Sequence, residues 1–61
     1  MSIRSFRDIS RVRTARLDQG LTCRQLALKC GIKPSTLMEF ECGYRPICAN
    51  TYRLLLNALN L

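Results

Sequence analysis

Apolar residues recur every three or four positions through most of this chain, which is the spacing of helices with one buried face. The first such segment follows Ser5, whose side chain suits a helix N-cap, and runs to about Gln19, where Gly20 can end it in a left-handed conformation. The apolar residues predicted to share one face of this helix are Phe6, Ile9, Val12 and Leu17. The basic residues on the opposite, solvated side are Arg4, Arg7 and Arg11.

The stretch from Leu21 to Gly43 contains two further helical patterns separated by a tight turn. Thr22 and Gln25 form a capping box, in which each side chain satisfies a backbone N–H of the other residue. Gly31 tolerates a positive φ, so the chain can leave the first of these helices sharply. The narrow apolar seam of that helix consists of Leu26, Ala27 and Cys30.

The second of the two helices is predicted over Pro34–Cys42, because proline at a first helical position gives up no intrahelical hydrogen bond. Its apolar seam contains Leu37 and Phe40, and Gly43 ends it. Two short helices joined by a turn of about four residues form a helix-turn-helix.

The last helix is predicted from about Cys48 or Ala49 to Leu59, after a loop in which Pro46 prevents an earlier start. Its apolar arc covers more than half of the circumference, which is wider than one packed face requires. The whole pattern therefore predicts an all-α fold, a compact bundle of four short helices in a single domain over residues 1–61.

Charge points to the kind of partner. Ten Lys and Arg residues against four Asp and Glu residues leave a net charge of +6, which favours a polyanion; the alternative is a soluble surface that is merely basic. Likewise, the three arginines before and within the first helix are either a solvated face or an arm that binds phosphates. No long apolar run and no secretory segment are present, so we expect a cytoplasmic protein with no membrane partner.

The composition argues against an enzyme and against a cofactor or bound metal. Histidine is absent and the acidic residues are scattered, so no nucleophile–base pair is indicated. The four cysteines lack the spacing of a zinc site, and a disulfide framework would need a secretory context. We favour unrelated reduced thiols, with a redox role or a metal site as the alternatives. The cysteines are Cys23, Cys30, Cys42 and Cys48.

From Leu21 to Gly43 the chain reads L-T-x-x-Q-L-A-x-x-x-G-I-x-x-S-T-L-x-x-F-E-x-G. In these residues it resembles the helix-turn-helix family of lambdoid phage repressors, Cro proteins and related bacterial regulators of the XRE type. The similarity extends from about Ile9 to Leu59. It implies the lambda repressor-like DNA-binding fold, here without the usual fifth helix, and binding to double-stranded DNA.

A structural ion pair is predicted between the first helix and the second helix of the helix-turn-helix, Pro34–Cys42. Arg16 lies at an angle within the apolar face of the first helix, where an unpaired charge would be costly. Glu41, one residue after Phe40, also turns inward and is the economical partner. The family resemblance implies the same pairing.

A helix that enters the major groove reads bases with its N-terminal and outward residues. The candidates for base contact are Lys33, Ser35, Thr36 and Glu39. The resemblance places the N-terminus of the preceding helix on the DNA backbone, with Cys23 where the family commonly has glutamine. The candidates for phosphate contact are Thr22, Cys23, Arg24, Tyr44 and Arg45.

The wide apolar arc of the last helix has two interpretations. The residues concerned, Leu54, Leu56 and Leu61, are either simply exposed or form a homodimer interface, which we favour because one short module rarely binds DNA tightly. The sequence thus indicates a dimeric repressor on a palindromic operator. The alternative is an antitoxin or other module whose last helix binds a protein, and a third is a regulator that responds to thiol chemistry at Cys23.

Overall fold

Four helices and one short pair of strands make up residues 2–61, the part of the chain that the computed structural model describes. The elements are β1 (Ser2–Ile3), α1 (Phe6–Asp18), α2 (Cys23–Cys30), α3 (Pro34–Glu41), β2 (Ile47–Cys48) and α4 (Ala49–Ala58). The four-helix bundle is confirmed, with each helix boundary within a residue or two of its expected place. None of the helices in this range is long and apolar enough to cross a membrane.

Local hydrogen bonds explain where the helices begin. The Ser5 hydroxyl accepts from the Asp8 N–H at 3.2 Å, which caps α1. The capping box of α2 is complete: the Gln25 N–H donates to Thr22 Oγ1 at 3.0 Å, and the Thr22 N–H donates to Gln25 Oε1 at 2.8 Å. Lys33 caps α3 without any side-chain hydrogen bond, so Pro34 at the first turn supplies the start signal there.

Glycines with positive backbone φ angles stand where α2 and α3 end. Gly31 has φ of 77° at the end of α2, and Gly43 has φ of 81° just after α3. An L-residue with a side chain would be strained at either place, which is why glycine ends both helices of the helix-turn-helix. Helix α3 ends at Glu41 with Cys42 as its C-cap, one residue before the predicted end.

The strand pair was not expected. Ser2 lies opposite Cys48 and Ile3 opposite Ile47 in an antiparallel ladder. Strands of two residues are too short to show alternation, and the pairing joins segments far apart in sequence. Ile47 is buried and Ile3 packs against the core, so the ladder connects the loop after α3 to the start of the chain.

One core holds the four helices together. Its buried side chains are Ile9, Val12, Leu26, Ala27, Leu37, Phe40, Ile47, Leu55 and Leu59. The prediction that Phe6 and Leu17 share the buried face of α1 was wrong, since they are 83% and 57% exposed. At about 100° per residue Phe6 lies about 90°, and Leu17 about 110°, from the centre of the stripe that Ile9 and Val12 define.

Arg16 and Glu41 lie together as a two-pronged ion pair. Arg16 Nη2 donates to Glu41 Oε1 and Arg16 Nε to Glu41 Oε2, both at 2.9 Å. Arg16 Nη1 also donates to the Leu21 carbonyl at 2.8 Å. The two side chains are only 11% and 6% exposed, and the hydrogen bonds to Glu41 raise the pKa of Arg16. One guanidinium therefore links α1, the entry to α2 and the last residue of α3.

We expect Arg16→Ala or Glu41→Ala to lower the free energy of unfolding by about 3–5 kcal/mol, because each leaves a nearly buried charge without its partner. Urea denaturation followed by circular dichroism measures the change. Arg45→Ala is the matched control: it breaks an exposed ion pair and should cost less than about 1 kcal/mol. A loss at Arg16 no larger than that of the control would show that the pair is not structural.

Candidate nucleic-acid interface

The helix-turn-helix presents the outer side of α3 to solvent. Leu26 and Ala27 of α2 and Leu37 and Phe40 of α3 are fully buried, so they fix the two helices against each other. The inward turn of Glu41 toward Arg16 settles the rotation of α3 about its own axis. The outer side of α3, which is mainly polar, therefore remains accessible to solvent, and α3 itself is packed firmly against α2.

That face brings together the residues predicted to contact bases. Ser35 is exposed and Glu39, four residues later, is half-exposed on the same side. Thr36 is half-buried at the edge, and Lys33 is exposed at the N-terminal end. Met38, beside these residues on α3, is 55% exposed and adds apolar surface to the polar groups.

Glu39 and Arg45 form an ion pair that sequence reasoning missed. Arg45 Nη1 donates to Glu39 Oε1 at 3.2 Å, and the side chains are 59% and 46% exposed. From the sequence, the Glu39 carboxylate is a candidate for base contact and the Arg45 guanidinium a separate candidate for phosphate contact. The two residues lie on either side of the Gly43 turn, so no helical spacing signals their contact.

The N-terminus of α2 is predicted to contact phosphates of the DNA backbone. The Thr22 hydroxyl and N–H are both used by the capping box, which leaves the N–H groups of Cys23 and Arg24 without an intrahelical partner. The Arg24 side chain is exposed. Such free donors at the positive end of a helix suit an anion.

The Cys23 side chain points elsewhere. It is half-buried against the core, and this burial raises the pKa of the thiol, with the nearby Glu41 carboxylate acting in the same direction. The structure therefore directs the side chain toward the Arg16–Glu41 pair and leaves the backbone N–H as the group that can face a phosphate. A one-residue departure from the family pattern could not reveal this orientation.

The loop after α3 places two further candidates beside the same face. The Tyr44 ring is 83% exposed, while its N–H donates to the Glu39 carbonyl at 2.9 Å. Arg45 follows directly, held by its contact with Glu39. The hydroxyl and guanidinium are the donor types that bind phosphate oxygens.

The three residues predicted to form a dimer interface differ in exposure. Leu54 and Leu61 are 47% and 50% exposed, whereas Leu56 is half-buried and packs against the core. Leu54 lies on the outer side of α4, whereas Leu61 follows the helix, after Asn60 with its backbone φ of 61°. Leu56 therefore contributes to this surface only through its exposed edge.

A concavity of about 320 Å³ lies between α1 and the end of α3. Its lining residues are Phe6, Ile9, Ser10, Arg13, Glu41, Cys42 and Gly43. The carboxylate it contains belongs to Glu41, which is paired with Arg16, so no acid–base pair is assembled there.

All four thiols are free. Cys30 is half-buried with its Sγ 3.7 Å from the Leu54 carbonyl, and burial raises the pKa of its thiol. Cys48 is exposed, with its Sγ 3.1 Å from Thr51 Oγ1, and this hydrogen bond lowers the pKa of its thiol. Among residues 2–61 no three cysteine or acidic side chains come together as a metal site would require.

The chain is similar in fold to a solved structure. The chain superposes over 97% of its length on a crystal structure of a point mutant of the restriction-modification controller protein C.Esp1396I, with a TM-score of 0.81 and 24% sequence identity, and covers 78% of that chain. No protein-family model and no curated protein matches the chain. The likeness shows the fold class, a helix-turn-helix bundle like that of a restriction-modification controller.

The thiols should differ in reactivity toward iodoacetamide at about pH 8, because the thiolate is the nucleophile. A lowered pKa gives Cys48 more thiolate at a given pH, and raised pKa values give Cys23 and Cys30 less. Peptide mass spectrometry over time should show Cys48 modified first. Thr51→Val removes the hydrogen bond and should slow Cys48 specifically; equal rates for Cys48 and Cys23 would contradict this assignment.

Proposed function

We propose that this protein is a sequence-specific regulator of transcription that inserts α3 into the major groove of double-stranded DNA. The observation that supports this most is the outer face of α3, where Ser35, Thr36 and Glu39 stand on a rigid two-helix support. Cationic side chains surround that face: Lys33 at its start and Arg45 at its end. Polar groups in the centre and positive charge at the rim suit base edges flanked by phosphates.

Contacts to the DNA backbone would come from two sides of α3. The N-terminus of α2 offers the N–H groups of Cys23 and Arg24 together with the Arg24 side chain, and Thr22 lies beside them. On the other side, Tyr44 and Arg45 follow α3. A net charge of +6 supplies the general attraction to a polyanion, which carries most of the non-specific affinity.

We further propose a homodimer that binds a palindromic operator. Two copies related by a two-fold axis would place two α3 helices in successive major grooves, about ten base pairs apart. Leu54 and Leu61, with the edge of Leu56, provide apolar surface for the contact. Occupation of a promoter would exclude polymerase, so repression is the expected outcome. The likeness to a restriction-modification controller protein supports a regulatory role.

Selection from a pool of random duplexes, followed by sequencing of the bound fraction, tests this function. We expect an enriched two-fold motif with half-sites about ten base pairs apart, and affinity that falls linearly with salt on logarithmic axes. Ser35→Arg and Glu39→Ala should change the enriched sequence without loss of helicity, because both residues are on the accessible face. Steep salt dependence with no enriched motif would leave only a generic basic protein.

Leu54→Asp and Leu61→Asp should each shift the protein from dimer to monomer in sedimentation equilibrium, because a charge would enter an apolar contact. Operator affinity should fall with dimerisation. Leu28→Asp is the matched control, since Leu28 is 64% exposed on α2 and should leave the assembly unchanged. An unaltered dimer in both the Leu54 and the Leu61 variants would place the interface elsewhere.

The exposed leucines of α4 also favour a second candidate, a module such as an antitoxin that binds another protein. Under that function α4 would engage a different chain, and the polar face of α3 would be incidental. The selection experiment separates the two candidates: absence of DNA binding at any salt concentration would favour the protein partner.

A further inference from the structure

The contact between Glu39 and Arg45 places a carboxylate and a guanidinium together on the outer face of α3, the face proposed to enter the major groove. A carboxylate that approaches DNA is repelled by the phosphates, and the repulsion grows as water is excluded. Glu39 is nevertheless half-exposed on the outer side of α3. The neighbouring Glu41 does not share this problem, because it turns inward to Arg16.

Arg45 offsets the repulsion at Glu39. Its Nη1 lies 3.2 Å from Glu39 Oε1, so the pair as a whole is neutral. An exposed pair of this kind contributes little to stability, so its presence is not explained by folding. Once water is displaced by a ligand, the same contact becomes stronger, since the local dielectric falls.

The backbone holds Arg45 in position for this contact. The Tyr44 N–H donates to the Glu39 carbonyl at 2.9 Å, and the Gly43 N–H donates to the Phe40 carbonyl at 3.0 Å. The loop is thus bonded to the helix at the same residue whose side chain Arg45 reaches. The orientation of Glu39 is set from two directions, through its backbone and through its carboxylate.

One oxygen of Glu39 remains available. Arg45 engages Oε1, and among residues 2–61 the structure records no donor to Oε2. A carboxylate oxygen accepts hydrogen bonds and cannot donate one when ionised. In the major groove the matching donor on a base edge is the N4 amino group of cytosine.

We propose that Arg45 is a positioning residue for Glu39, and that the two together recognise one cytosine in each half-site, with Glu39 Oε2 accepting from cytosine N4. This inference rests on the proposed DNA-binding function. It differs from a role for Arg45 as a phosphate contact alone, which would add the same affinity to every sequence.

The test is a double-mutant cycle on the operator recovered by selection. Binding of the wild-type protein, Glu39→Gln, Arg45→Ala and the double variant is measured to that operator and to versions with each other base at the cytosine position. The wild type should prefer cytosine by about tenfold. Glu39→Gln should move the preference toward adenine, whose N6 and N7 match a side-chain amide.

Arg45→Ala should abolish most of the cytosine preference while Glu39 is intact, and the double variant should show no further loss. Arg24→Ala is the control: as a backbone contact without a carboxylate partner, it should weaken all sequences by the same factor and keep the preference. Thermal melting of all variants should match the wild type, because every substituted side chain is exposed or half-exposed.

Two failures are distinguishable. If Arg45→Ala weakens binding to all sequences equally and the cytosine preference persists, or if no position responds to Glu39→Gln, this inference is overturned while the regulator function stands. If the wild type enriches no motif, the proposed function itself fails and the inference falls with it.

Discussion

The Arg16 guanidinium is the contact on which the arrangement of the helices depends. It donates to both oxygens of Glu41 and to the carbonyl of Leu21, so it joins α1 to the residues that open α2 and close α3. Because both charged side chains are nearly buried, neither can be left without the other. The pair thereby fixes the rotation of α3 and determines which of its residues face outward.

Two of the other three acidic side chains are also used within the protein. Glu39 is paired with Arg45, and Asp8 accepts from the Ser5 hydroxyl at 2.8 Å and the Tyr52 hydroxyl at 3.2 Å. Most basic side chains have no such internal partner among the described residues and are exposed. The excess positive charge behind the net charge of +6 therefore lies mainly on exposed side chains, which suits a polyanionic ligand.

A small core supports this surface. Among residues 2–61, nine buried residues from the four helices, β2 and the C-cap of α4 form this core. A chain of this size is expected to have only a few kcal/mol of net stability. Dimerisation through α4 would bury more apolar surface at Leu54 and Leu61. In the proposed dimer, stability and operator binding would be linked, because the assembly that strengthens the fold would also supply a second copy of α3.

The sequence by itself determined the features that depend on neighbours within about four residues. The capping box at Thr22, the left-handed exit at Gly31 and the start at Pro34 all appear where the residues predict them. The Arg16–Glu41 contact could also be predicted from the sequence, because a charge within an apolar stripe requires a partner. Tertiary structure alone decided the pairing of β1 with β2, the exposure of Phe6, the inward thiol of Cys23 and the contact of Arg45 with Glu39. Each of these features depends on which distant segment of the chain packs against the residue concerned. The periodicity of the sequence does not predict such contacts.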